Sequence, residues 1–61
     1  MNQGKKIDAR MTAAIAALRD AYTVMILYPG LAELAHEVSL EQQRIMSMRH
    51  AMREKTGYEP R

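Results

Sequence analysis

Among the side chains that could do chemistry, the two histidines come first. His36 and His50 lie fourteen positions apart, outside the spacings by which one helix or loop offers two ligands to zinc. Glu33 and Glu37 are one helical turn apart and could approach His36, but a glutamate-rich helix face is an ordinary solvated surface. Ser39 has a capping explanation and Ser47 a helix-surface one, and no glycine-rich phosphate cradle, nucleophile elbow or Cys-His pair occurs. With no cysteine, disulfides, thiolate metal sites and thiol catalysis are all excluded. A carboxylate pair working as acid and base needs a cleft, which two short helices rarely build. The expectation is a protein without catalytic, cofactor-binding or metal-ligating residues, and not an enzyme.

The elements that must carry any function are therefore helical faces. The chain has 61 residues, 48% hydrophobic and 26% charged, with a formal net charge of +2. That length allows one small helical domain, residues 1–61. Folding a chain of this size gains about 90 kcal/mol of hydrophobic free energy and costs about 90 kcal/mol of conformational entropy. The balance is near zero, so a second copy or another protein is expected to supply further burial. The longest apolar run, Val24 to Tyr28, is far too short to span a bilayer, and no secretory signal is evident. A cytoplasmic protein with no membrane partner is expected.

Residues 1–6 read as a polar, frayed start, with Asp8 in the first helical turn. Ile7, Met11, Ala14, Leu18, Ala21, Met25 and Tyr28 then recur in steps of four and three, widened by Ile15 and Tyr22. This predicts a helix over about 7–28, its alanines favouring helix and close approach of a neighbour. Val24 to Tyr28 would point all round the cylinder and want cover from the second half or from a partner. Pro29 and Gly30 predict a tight turn. Leu31, Leu34, Val38, Ile45, Met48 and Met52 resume the period, with the charged Glu41 at the missing heptad position. The second helix, about 31–55, is either continuous or broken near residue 39, where Ser39 and Gln42 have capping-box spacing. Gly57 ends it behind a basic last turn.

In the broken form, Ala35 supplies a small residue within a first helix, Ser39 one at a turn, and Leu34, Val38, Leu40, Ile45 and Met48 an apolar frame. Over about residues 31–50 this resembles the helix-turn-helix family of DNA-binding units. The resemblance implies a three-helix domain, a dimeric transcriptional regulator, and a recognition helix in the major groove. Gln42, Gln43, Arg44, Ser47, Arg49, His50 and Arg53 would face DNA, with Met46 also outward. Residues 29–61 carry five bases and five acids, so the basic footprint would have to be local.

The leading expectation is an antiparallel helical hairpin, all-α, dimerising into a four-helix arrangement. Its interface would use Ile15, Leu18, Tyr22, Met25, Leu31, Leu34, Val38, Ile45, Met48 and Met52. Such a homodimer would act as a small regulatory or adaptor protein through protein contacts. Met46, Met48 and Met52 offer adaptable thioethers, either to the core or to a partner.

Overall fold

Alanine-rich sequence with no interior proline makes α1, Gln3–Met25, and a proline- and glycine-free stretch makes α2, Ala32–Thr56. A short 3-10 turn, Pro29–Leu31, joins them. The computed structural model describes residues 3–60; Met1, Asn2 and Arg61 lie outside the described residues. The two helices pack against each other as an antiparallel hairpin, a rod of 45 × 15 × 15 Å.

α1 starts earlier than the expected residue 7 and stops short of residue 28. At its start, Gln3 to Lys6 are helical rather than frayed, so Asp8 sits beyond the first turn. At its end, Pro29 disfavours helical geometry at Tyr28, which is extended at φ −114° and ψ 109°. The backbone tightens ahead of it. The N–H groups of Leu27 and Tyr28 donate to the carbonyls of Val24 and Met25 at 3.1 and 3.0 Å, three residues back rather than four.

The expected alternative, a break near Ser39 and a third helix, does not occur. α2 runs without interruption from Ala32 to Thr56, and Ser39 is half-buried within it. The physical reason lies in the stripe that faces α1. It passes through Ala35, Val38, Gln42, Ile45, Arg49 and Met52, so the charge at Glu41 points outward and leaves no flaw for a break to relieve. Gly57 ends the helix as anticipated. At φ 72° it is left-handed, and its N–H donates to the Arg53 carbonyl at 2.9 Å.

On α1 the inward stripe is Asp8, Met11, Ile15, Leu18, Tyr22 and Met25. Both stripes repeat in threes and fours, as in an antiparallel coiled coil. Each is displaced by about one position from part of the stripe expected from apolar spacing. Among the described residues, Ile15 and Ala35 are the buried apolar side chains, at 8% and 1% exposure. Ala35, with no bulk beyond Cβ, lets the helices close near the turn.

Candidate protein-interaction surface

Two polar ties set how the helices slide past each other. Arg53 donates from Nε to Asp8 Oδ1 at 2.5 Å and from Nη2 to Oδ2 at 3.2 Å. One turn away, Arg49 Nη1 donates to the Thr12 hydroxyl at 2.9 Å. In both pairs the residue numbers total 61, which defines the register of the hairpin. Slipping either helix by a turn would strand the buried Asp8 carboxylate without its cation, a costly outcome for a charge held away from water.

The Arg53 guanidinium holds the Asp8 carboxyl below the usual carboxylate range; its hydrogen bond is the largest cause, and its charge and that of Arg49 add to it against desolvation. A carboxyl whose folded-state value is depressed adds stability that is present above its unfolded value and lost as pH falls through the folded one. Thermal midpoints measured from pH 7 down to pH 2 should therefore fall below about pH 4, more steeply in the native chain than in Asp8→Asn. Equal slopes in the two proteins would show that the pair contributes nothing to the pH dependence.

The inward stripes place the expected interface residues in two groups. Ile15 is buried, and Leu18, Tyr22, Met25, Leu31, Val38, Ile45 and Met52 are half-buried between the helices. Leu34 and Met48 face solvent at 53% and 46% exposure. The expected DNA-facing residues do not form one outward row. Gln42 lies on the inward stripe, and Arg49 and Arg53 turn toward α1. Gln43 and Ser47 are exposed, Arg44 lies 3.5 Å from Glu41, and His50 lies 2.8 Å from Glu54. Met46 is exposed, as expected of it.

Beside the inward stripes runs a second, largely apolar stripe that the hairpin leaves mostly uncovered, Ala14 alone in it being half-buried. On α1, the position before each of Asp8, Ile15 and Tyr22 is Ile7, Ala14 and Ala21; a turn away lie Ala17 and Val24. On α2, the position before Ala35, Gln42 and Arg49 is Leu34, Glu41 and Met48. In an antiparallel pair of right-handed helices, these preceding positions fall on the same side of the pair. One broad face of the rod thus carries Ile7, the alanines, Val24, Leu34 and Met48, with the Glu41–Arg44 pair between the last two. The opposite flank carries Lys5, Thr12, Arg19 and Ser39, with Ile26 and Met46 also exposed there at 51% and 42%. Val24, Leu27 and Tyr28, expected to be covered, stand 56%, 73% and 58% exposed at the turn end of the rod.

Asp8 as an inward anchor and Ala17 as part of an outward face were not anticipated. The spacing of Asp8 with Ile15 and Tyr22, seven apart, is the sequence signal for the first. The steps Ala14, Ala17, Ala21, Val24 are the signal for the second.

Two hollows open on the surface. One lies beside the C-terminal end, lined by His50, Arg53, Glu54, Gly57, Tyr58 and Glu59 among others, and one lies between Tyr22 and His36 near the turn. Among the described residues, no three His, Asp or Glu side chains converge to hold a metal ion. No helix among them is long and apolar enough to cross a membrane. Compared with protein-family models, curated proteins and solved structures, the chain matches none.

Proposed function

We propose that this chain works by contact and not by catalysis: a helical hairpin that offers one apolar face to another helical surface, as a small regulatory or adaptor protein, and whose face is occupied by a second copy in a four-helix bundle. One observation carries the reading. The hairpin ties Asp8 and Thr12 to α2 internally and still leaves Ile7, Val24, Leu34 and Met48 exposed along one face.

Area supports an occupant of the size a second copy offers. The chain exposes 4929 Å². A compact folded monomer of 7.0 kDa would expose about 4,000 Å². The excess, about 900 Å², is close to the roughly 800 Å² that each partner buries in a standard stable interface. A face of this width, with apolar residues added to the inner stripe on one flank, is what helices of four-helix bundles carry. The DNA reading has weaker support, because two of its three arginines are engaged with α1.

Sedimentation equilibrium across micromolar concentrations tests the proposal. The mass is expected to rise from one chain to two, with little sensitivity to salt. A single-chain mass up to the millimolar range would overturn it. Salt-dependent binding to a DNA duplex by the single hairpin would move the function to nucleic acid.

A further inference from the structure

We infer that the two copies stack side by side with both Pro29–Gly30 turns at the same end, α1 of each lying over α2 of the other. This rests on the homodimer proposed above and specifies its geometry.

Two hairpins can bring their apolar faces together about a two-fold axis in two ways. The axis can run along the helices or across them. An axis along the helices leaves every residue at its own height. The register inside one hairpin then also governs the contacts between hairpins. Residue numbers totalling about 61, as in Asp8–Arg53 and Thr12–Arg49, face each other across the interface. Ala14 then meets Met48, Ala17 meets Arg44, and Ala21 meets Glu41 of the other copy, while Arg10 meets Ala51. Each of these layers sets a small side chain against a long one, and Val24 meets Glu37, whose stem can lie over it with the carboxylate at the rim. The Arg44–Glu41 pair can remain intact, its aliphatic stems lying over the alanines. Lys55 falls opposite Ile7 at the rim, where its stem can cover the ring of apolar surface and its ammonium stay in water.

An axis across the helices gives a poorer match. The alanine stripe would lie on its own copy, small on small, and α2 on α2, long on long. The two helix pairs would then call for different spacings, about 8 Å and about 10 Å. It would also set the apolar turn ends against the charged ends that hold Lys5, Lys6 and Lys55. The lengthwise axis instead brings Leu27, Tyr28 and Leu34 of both copies to one end, where they can cover one another; they are 73%, 58% and 53% exposed in the single hairpin.

The chain has no cysteine, so a single introduced one can carry a nitroxide spin label. At Gly30 a Cβ meets nothing within 4 Å, and Gln3, at the other end of the rod, is exposed. Pulsed dipolar spectroscopy on Gly30→Cys and on Gln3→Cys, each labelled in the full chain, should give a distance of about 20 Å at both sites, set by helix spacings near 10 Å plus the label arms. Distances near the 45 Å length of the rod at both sites would overturn this stacking while leaving the dimer standing. Absence of dipolar coupling at both sites would remove the dimer and the stacking together.

Discussion

Ile15→Ala is expected to cost the hairpin about 3 kcal/mol, enough to remove most of its helical signal at 37 °C. Ile15 is the large apolar side chain that α1 buries most completely, at 8% exposure. Its loss removes three carbons from a layer between the helices. A two-helix rod has little means of collapsing around the space, and a chain this short holds only about 5 kcal/mol or less in reserve. Leu40→Ala is the matching control. It trims a side chain of the same size, but Leu40 lies on the outward side of α2 at 48% exposure. Its effect should stay within about 0.5 kcal/mol. Denaturant unfolding followed by circular dichroism measures both. Equal losses in the two variants would mean that Ile15 is not part of a dry interface between the helices.

Ala21→Glu is expected to raise the dimer dissociation constant by at least a hundredfold, about 3 kcal/mol, while leaving the hairpin helical. Ala21 is exposed in the single hairpin, so glutamate there costs only a few tenths of a kcal/mol in helix propensity. In the stacked pair it faces Glu41 of the second copy, and symmetry imposes the clash twice. Bulk in a close-packed layer and like charge act together. Ala21→Lys adds similar bulk but opposes Glu41 with a cation, and its loss should be smaller by about tenfold. Sedimentation equilibrium gives both constants. If glutamate and lysine prove equally damaging, Ala21 does not face Glu41 and α1 lies over α1; if neither matters, the alanine face is not the interface.

Much of the architecture was legible in local sequence. The alanines and the steps of three and four marked two helices, Pro29 and Gly30 marked the turn, and Gly57 marked the stop. These are short-range effects: propensity, a missing N–H, a residue free to take positive φ. They act within a few residues and need no knowledge of what lies across the rod.

Which stripe turned inward was settled only by the fold. Stripes through Ile7, Ala14 and Ala21 and through Asp8, Ile15 and Tyr22 differ by about 100° of rotation, and apolar content favoured drawing α1 through the first. On α2 it likewise favoured Leu34 and Met48 over Ala35, Gln42 and Arg49. Asp8 and Arg49 count against burial when each is read alone. Brought beside Arg53 and Thr12, they become partners, and Asp8 lies 45 residues from Arg53 in the chain. The same long-range pairing kept Glu41 off the seam and α2 unbroken through Ser39. Local composition therefore determined the two helices and the bend between them. Tertiary packing decided which face they share and which they leave for another molecule, because the cost of a polar group inside a seam depends on a neighbour that only the folded chain supplies.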